Sequence, residues 1–369
     1  MSQVTKEKII ETLRTVMDGD VSIIEKNMVE GLQIKDGHVL FAISVNPKDA
    51  EFYEPVRQQA EDKIHALDGV LSATVVLTAE VAPGAEPAPA PQSAPTPKPE
   101  TPLLPDVKAI IAVASGKGGV GKSTTTVNLA LALRDQGLKV GVLDADIYGP
   151  SMPRMLGISG QPTSTDGKLL DPKVGHGIKC MSMGFLVEED APVIWRGPMV
   201  QSALGQMMRD VSWGALDVLL IDMPPGTGDA QLTISQQVPL TGAVIVSTPQ
   251  DIALLDARKG LNMFRQVDVP VMGIIENMSY FQCPNCGEHS NIFSHGGAKT
   301  EAEQLGVDFL GELPLHIEIR ETSDSGHPIV DHSPDGPHAQ AYKQIAAHVW
   351  EKATAILALK STTTPKIVL

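Results

Sequence analysis

Residues 115–124, Ser-Gly-Lys-Gly-Gly-Val-Gly-Lys-Ser-Thr, fit the pattern G-x-x-x-x-G-K-[ST]. They follow the apolar run 110–113, which predicts a buried strand, and a helical pattern begins at their end. In this context the glycines let backbone N–H groups converge on phosphate oxygens, and the helix N-terminus adds its dipole. Both flanks favour a nucleoside triphosphate site over a glycine-rich turn without a ligand. Lys122 is expected to reach the β- and γ-phosphates, and Ser123 to help hold Mg²⁺.

Three aspartates end apolar runs, as expected for carboxylates at the ends of buried strands. Asp222 ends one run, and Asp144 and Asp146 end another. Phosphoryl transfer needs a metal ion and a group that orients water. Asp222 is expected beside Mg²⁺, while one member of the Asp144–Asp146 pair assists the metal and the other positions water. The alternative for each is a helix N-cap or turn aspartate. The loop 224–229 is expected to approach the γ-phosphate.

Lys117 is a second lysine inside the glycine-rich run. It resembles the extra lysine of the deviant Walker A class, G-K-G-G-x-G-K-[ST], which the MinD/ParA partition ATPases and the nitrogenase iron protein share. The resemblance implies that Lys117 reaches across a dimer to the partner's phosphates. A solvated lysine is the alternative.

Cys283 and Cys286 form a C-x-x-C pair, followed by Gly287, which permits a backbone twist that frees amides to donate toward sulfur. A tetrahedral thiolate site needs four ligands, and the sequence has no second pair. Two pairs could be pooled across a two-fold dimer, which suits a [4Fe–4S] cluster. Alternatively, His289 and His295 could complete a zinc site. A redox dithiol is disfavoured because its active thiolate usually sits at a helix start.

The overall composition of the 369 residues, with 42% hydrophobic residues, is ordinary for a globular protein. A net charge of −15 argues against a non-specific nucleic-acid binder, because phosphate contacts require a basic face. The apolar runs are too short for a membrane span, and residues 1–20 lack a targeting pattern. Three cysteines do not form a disulfide framework, which predicts a cytoplasmic protein with reduced thiols. Cys180 is expected to be a buried small hydrophobe.

A proline- and alanine-rich segment at 81–106 predicts an extended linker between two domains. Residues 1–80 have the pattern of a small α+β domain. Residues 107–369 alternate strands and helices, which predicts an α/β domain with a mostly parallel sheet covered by helices on both faces. The predicted strands are 110–114, 139–143, 218–221, 243–247 and 271–275. The predicted helices are 122–136, 198–210, 251–266, 298–305 and 340–358, followed by a disordered tail from 361.

Six ordered motifs closely resemble the Mrp/ApbC iron–sulfur cluster carrier family, a group of P-loop NTPases. They are 116–124, 144–151, 195–199, 222–229, 276–279 and 283–286. The resemblance implies a homodimeric ATPase that holds a labile cluster between subunits and delivers it to apoproteins. Apo iron–sulfur proteins and cluster-assembly proteins are therefore the expected partners, with no nucleic acid and no membrane.

The same resemblance implies a role for each site residue. ATP phosphates and Mg²⁺ are assigned to Gly116, Lys117, Gly118, Gly119, Val120, Gly121, Lys122, Ser123 and Thr124, with catalytic roles for Lys117 and Lys122. Asp146 is assigned to positioning water, Asp222 to the metal ion, and Asn277 to the adenine base. Cys283 and Cys286 are assigned to the cluster. For Arg196, a structural ion pair and nucleotide sensing both stay open.

Residues 1–80 resemble the small metal–sulfur cluster assembly domain that is often fused to these carriers. They depart from it at 18–20, where Asp-Gly-Asp replaces Asp-Pro-Glu, and they lack its cysteine, with 44–49 in that region. We therefore expect a docking or regulatory role. Two rival functions are a partition ATPase acting on DNA or membrane, which the net charge and the C-terminal tail disfavour, and an ATPase with a purely structural zinc knuckle.

Overall fold

The structure, a computed structural model, describes residues 5–18, 21–35, 38–45, 50–67, 69–70, 72–79, 103–165, 167–187, 197–283 and 285–363. They form two compact units. The first is Met1–Leu103 with Thr163–Leu169 and Leu186–Arg209, and the second is Leu104–Pro162, Leu170–Phe185 and Asp210–Leu369. Most of the predicted linker, Arg196 and the tail from 364 lie outside the described residues.

The helices and strands carry the following labels. The helices are α1 (Lys6–Leu13), α2 (Ala50–His65), α3 (Lys122–Asp135), α4 (Met152–Met155), α5 (Gly197–Arg209), α6 (Asp229–Gln237), α7 (Asp251–Gln266), α8 (Gly297–Leu305), α9 (Ile317–Asp324), α10 (Ile329–His332) and α11 (Pro337–Thr363). The strands are β1 (Met17–Asp18), β2 (Val21–Ser22), β3 (Val29–Lys35), β4 (His38–Val45), β5 (Ser72–Ala79), β6 (Val107–Ala114), β7 (Val140–Asp144), β8 (Lys173–Gly175), β9 (Ile178–Ser182), β10 (Leu216–Asp222), β11 (Gly242–Ser247), β12 (Val271–Glu276), β13 (Phe281–Gln282), β14 (His289–Ser290) and β15 (Phe309–Glu312).

The first unit is the predicted small α+β fold. β4 lies between β3, which is antiparallel to it, and β5, which is parallel. Because side chains alternate across a strand, Phe41 and Val75 pack in the core with α1 and α2, while Ala42 and Val76 contact Met199 of α5. In sequence α5 lies within 107–369, whereas its contacts place it in the first unit.

The second unit is built on a sheet with the strand order β15-β12-β11-β6-β10-β7-β9-β8, in which only β8 pairs antiparallel. β6, β7, β10, β11 and β12 are almost wholly buried, as expected for parallel strands covered on both faces. From β6 the chain moves to β7 through α3, and from β11 it moves the opposite way to β12 through α7. Right-handed crossovers therefore place α3 on one face and α7 on the other.

All five predicted strands and all five predicted helices of 107–369 are present, with ends shifted by a few residues. The C-terminal helix is the main correction. The tail was expected to be disordered from 361, but α11 continues to Thr363. Its early residues Tyr342, Ile345 and Val349 are buried, so tertiary packing anchors a helix that then extends through polar residues. Among the described residues, no helix combines the length and apolar character that crossing a membrane requires.

Candidate nucleotide site and cysteine hairpin

The phosphate loop connects β6 to α3 and has the backbone that phosphate binding requires. Gly119 and Gly121 adopt left-handed conformations with φ of 80° and 81°. Gly121 is also the N-cap of α3, and no side chain caps this helix end. The N–H groups of the first turn therefore stay available for an anionic ligand, and the helix dipole favours negative charge there. The loop fits a nucleotide phosphate.

Gly116 is needed because helix α7 passes directly against the loop. A Cβ at this position would lie 2.2 Å from the carbonyl carbon of Asp256 and 2.6 Å from the backbone nitrogen of Ala257. Gly118 differs, since its nearest neighbour would be Pro225 Cβ at 4.0 Å. The first glycine thus fixes the loop against α7, whereas the second faces open space.

A buried polar cluster lies at the start of α3. The Lys122 ammonium donates to Asp222 Oδ2 at 2.6 Å, and the Ser123 hydroxyl donates to the same oxygen at 2.6 Å. The Thr126 hydroxyl lies 2.6 Å from Asp222 Oδ1. Asp222 has no exposed surface and Lys122 is 6% exposed. A hydroxyl and a carboxylate are hard oxygen ligands, so Ser123 and Asp222 fit Mg²⁺.

Thr126 was missed by sequence reasoning. It lies beyond the phosphate-loop pattern, and its helical position alone does not distinguish it from the hydroxyl residues beside it. Thr124 and Val120, two other residues of the predicted set, have local contacts: the Thr124 hydroxyl lies 3.8 Å from Met155 Sδ, and Val120 packs with Val113 and Val246.

Asp144 and Asp146 have different surroundings. Asp144 is 1% exposed and accepts hydrogen bonds from the Ser182 hydroxyl at 2.9 Å and from the Ser151 and Met152 N–H groups at 3.1 and 3.2 Å. Burial, together with the nearby Asp222 charge, raises the pKa of Asp144 to about 7. Asp144 therefore organises the loop that follows β7.

Asp146 lies in that loop and is only half-buried. Burial raises the pKa of its carboxyl, while the nearby Lys122 charge acts in the opposite direction. Of the two aspartates, Asp146 is the one with an accessible carboxylate close to the phosphate-loop lysine.

The loop 224–229 is joined to the phosphate loop through the backbone. The Gly226 N–H donates to the Ser115 carbonyl at 3.1 Å, and Gly226 itself has a left-handed φ of 98°. The Gln231 side chain donates to the Pro224 carbonyl and closes the loop from the helix that follows. A conformational change in either loop is therefore expected to shift the backbone of the other.

Asn277 directly follows β12 and contacts the phosphate loop. Its side-chain N–H donates to the Val120 carbonyl at 2.8 Å, and a Cβ at Gly121 would lie 2.2 Å from the same nitrogen. Lys117 is half-buried, and its ammonium has no ion-pair or hydrogen-bond partner among the described residues. The roles of Asn277 with adenine and of Lys117 with a partner subunit stay predictions.

The two cysteines of the C-x-x-C pair lie in a short antiparallel hairpin formed by β13 and β14, residues 281–290, here called the cysteine hairpin. The Cys283 N–H donates to the Glu288 carbonyl and the Gly287 N–H donates to the Cys283 carbonyl, both at 2.9 Å. Gly287 has a left-handed φ of 74°, as its predicted twist requires. Cys283 is half-buried and Cys286 is exposed.

Backbone amides point at one of these sulfurs. The N–H of Cys286, then that of Asn285, donate to the Cys283 sulfur and lower the pKa of its thiol. The Cys286 thiol forms a hydrogen bond with the same sulfur, so the two free thiols are neighbours. These hydrogen bonds favour the thiolate of Cys283, and thiolate is the form of cysteine that binds metal.

The two candidate zinc histidines have other contacts. The His289 ring stacks on Tyr280 at a centroid distance of 4.6 Å, and His295 Nδ1 lies 3.0 Å from the Ser279 hydroxyl. Among the described residues, no set of three clustered ligand atoms includes a cysteine. Within the described part of one chain, the sulfur pair is thus an incomplete site.

Cys180 is buried as expected, and burial raises the pKa of its thiol well above the ordinary value.

A phosphate loop after a central parallel strand, with a buried lysine beside a hydroxyl and a carboxylate, defines a P-loop nucleoside triphosphatase. A sequence profile described as "NUBPL iron-transfer P-loop NTPase" matches residues 106–350. The chain belongs to this family. A second profile, described as "Iron-sulfur cluster assembly protein", matches residues 6–75.

Similar proteins agree with this assignment. The iron-sulfur cluster carrier protein of Synechocystis sp. is 44% identical over 363 residues, covering 95% of this chain and 98% of its own. The iron-sulfur cluster transfer protein NUBPL of Mus musculus is 57% identical over 245 residues, covering 66% of this chain and 77% of its own.

Solved structures give the same fold. A nucleotide-binding protein from Archaeoglobus fulgidus, in complex with ADP, is 42% identical with a TM-score of 0.57, covering 63% of this chain and 92% of its own. The cell division ATPase MinD of Pyrococcus furiosus is 21% identical with a TM-score of 0.50, covering 66% of this chain and 99% of its own. The likeness to MinD concerns the fold alone.

Proposed function

We propose that the chain is an ATP-dependent iron–sulfur cluster carrier, which holds a cluster between two copies of itself and transfers it to apoproteins. The observation that carries this proposal is the cysteine hairpin: two adjacent sulfurs, one with a lowered thiol pKa, on an accessible tip with no further ligand among the described residues. The relatives named above are cluster carriers or transfer proteins, which supports the same cargo.

The number of ligands supports a shared site. An iron–sulfur cluster bound through cysteine takes four thiolates, and one hairpin supplies two. A two-fold axis beside the hairpin brings Cys283 and Cys286 of both copies together and completes the set. A [4Fe–4S] cluster is the cargo that fits four thiolates around one axis. Apo iron–sulfur proteins are then the recipients.

In the proposal, the nucleotide site controls how tightly the two copies hold the cluster. In the proposal, Lys122 and the loop amides hold the phosphates of ATP, and Ser123 and Asp222 hold Mg²⁺, which neutralises phosphate charge when bound. Asp146 orients the attacking water. Lys117 has no counterion among the described residues of its own chain and reaches the nucleotide of the partner, while Asn277 contacts the adenine. The cytoplasmic location predicted from the cysteine content belongs to the same proposal.

Anaerobic reconstitution of the full chain with ferrous iron and sulfide tests the cargo. The wild type is expected to bind iron and acid-labile sulfide in equal amounts and to give a broad visible absorbance. The double variant Cys283→Ala/Cys286→Ala should lose the cluster while its affinity for ATP changes less than about twofold, because neither cysteine lies in the phosphate loop. The matched control is Cys180→Ala, which removes a buried thiol and should keep the cluster.

Two results would contradict the proposal. One is a full cluster on the double variant. The other is a colourless wild type that binds zinc alone, which would indicate a structural knuckle. Light scattering of the loaded protein tests the shared site, since a strictly monomeric loaded chain is incompatible with four thiolates from two copies.

A further inference from the structure

The cysteine hairpin is closed at its base by a cluster of polar side chains. Ser279 precedes β13 and His295 follows β14, and Ser279 Oγ lies 3.0 Å from His295 Nδ1. The same hydroxyl lies 2.6 Å from Glu276 Oε1 and 2.9 Å from Glu312 Oε2. These four residues, Glu276, Ser279, His295 and Glu312, are called the hairpin-base cluster. A single buried hydroxyl thus joins both ends of the hairpin to the ends of β12 and β15.

Glu276 anchors this cluster in the main fold. It has no exposed surface, and its carboxylate accepts the N–H groups of Gly296 at 2.9 Å and Ala298 at 2.7 Å, at the start of α8. A carboxylate at a helix N-terminus is stabilised by the helix dipole and by these donors. These two hydrogen bonds hold the Glu276 side chain in a fixed position. Movement of the end of β12 must therefore move the hairpin base.

The end of β12 is also attached to the nucleotide site. Asn277, the neighbour of Glu276, donates from its side chain to Val120 and from its backbone to the Ser247 carbonyl, both at 2.8 Å. Consecutive residues therefore contact the phosphate loop on one side and the hairpin base on the other.

The backbone beside the cluster is strained. Met278 and Ser294 have left-handed φ values of 56° and 80°, although neither is glycine. Each directly precedes one partner of the hydrogen bond at the hairpin base, Ser279 or His295. Residues in this region are held by their surroundings and tend to occur in segments that switch between arrangements. Loss of the Ser279–His295 contact would release both.

We propose that Ser279 and His295 are positioning residues that set the orientation of Cys283 and Cys286, and that Asn277 transmits changes in the phosphate loop to them. The biological role of this coupling, nucleotide-controlled binding of a cluster, rests on the proposed function. The contacts that join the hairpin base to the phosphate loop run through the end of β12.

The test measures cysteine reactivity in the cluster-free full chain, under reducing conditions, with and without Mg²⁺ and a non-hydrolysable ATP analogue. Iodoacetamide labelling of Cys283 and Cys286 is followed by peptide mass spectrometry, with buried Cys180 as an internal reference. In the wild type the nucleotide should change the labelling rate by at least about fivefold, the lower end of typical coupling between sites. In Ser279→Ala the change should fall below about twofold while the nucleotide still binds.

Matched variants separate positioning from general damage. Ser290→Ala removes an exposed hydroxyl in β14 and should keep the full nucleotide effect. His295→Ala alters a side chain that is 45% exposed, so it serves if Ser279→Ala fails to fold, and it should lose the effect. His295→Asn keeps an N–H donor near the Nδ1 position and should restore part of it.

The inference is overturned if the wild type shows no nucleotide effect, or if Ser279→Ala and His295→Ala both retain it in full. Because no cluster is present in this assay, its outcome is independent of the proposed cargo. A chain that never binds a cluster but shows the predicted labelling pattern would refute the proposed function and keep the positioning role.

Discussion

Replacing Asp222 by Asn should strongly destabilise the nucleotide-free chain, because it leaves the Lys122 ammonium buried without a counterion. The two groups are 2.6 Å apart and almost fully buried. At an effective dielectric constant of about 20, a pair at this distance attracts by about 6 kcal/mol, and desolvation cancels part of it. Removing one partner of a buried pair costs about 3–5 kcal/mol in measured cases.

Asp217→Asn is the matched control. Asp217 lies in the same strand, β10, and contacts Lys108 at 2.7 Å, but Lys108 is 71% exposed. Such surface pairs contribute about 0–1 kcal/mol. Thermal unfolding followed by far-UV circular dichroism, in EDTA and without nucleotide, compares the two variants. At about 2–4 °C per kcal/mol for units of this size, Asp222→Asn should melt roughly 6–20 °C below the wild type, and Asp217→Asn within about 4 °C of it.

A second measurement checks the cause. ADP without Mg²⁺ brings phosphate charge to Lys122, so it should raise the Tm of Asp222→Asn by more than it raises the Tm of the wild type. Equal Tm losses in the two Asp→Asn variants, or no extra gain with ADP, would show that the buried pair is not what stabilises this part of the fold.

Two further predictions concern pH and packing. The pKa of Asp144 is raised to about 7 in the folded chain, whereas an aspartate in the unfolded chain has a pKa of about 4. The folded chain therefore binds the carboxyl proton of Asp144 more tightly than the unfolded chain does. The contribution of Asp144 to the free energy of unfolding therefore falls as pH rises from about 4 to about 7. The drop in Tm between pH 5 and pH 8 should be smaller in Asp144→Asn than in the wild type. An unchanged drop would contradict the raised pKa of Asp144. Gly116→Ala places a Cβ 2.2 Å from the Asp256 backbone and should lower stability by roughly 1–3 kcal/mol in urea unfolding, more than Gly118→Ala, whose added Cβ meets nothing closer than 4.0 Å.

The sequence predicted the five central strands of the sheet well because their burial on two faces produces continuous apolar runs. The short strands β8, β13, β14 and β15 were not predicted, since two to four residues carry no readable period. The five-residue strand β9 was not predicted either, because Lys179 interrupts its apolar run. The length of α11 was underestimated for a different reason. Its last residues, Ser361 to Thr363, have poor helix propensity, and only the anchored preceding turns extend the helix through them.

The residue types of the nucleotide site were readable, but their contacts were not. The phosphate-loop pattern requires glycines at both 116 and 118, but it does not reveal that Gly116 packs against α7 while Gly118 has almost no neighbour. Asp144 and Asp146 are equivalent in sequence and differ in burial because the Ser182 hydroxyl and two backbone amides enclose the first. The hairpin-base cluster joins residues from three separate stretches of the chain, and no local spacing signals such a contact.

The strand order has a consequence for how this architecture can diversify. Only β11 lies between β6, which leads into the phosphate loop, and β12, which leads into the cysteine hairpin, so the two strands are about 10 Å apart. Both segments leave the sheet at the same edge, but they belong to different crossovers. An insertion or replacement within 281–294 would thus place new ligand side chains beside an unchanged nucleotide site. The same fold can therefore come to bind a different group through changes in this one short segment.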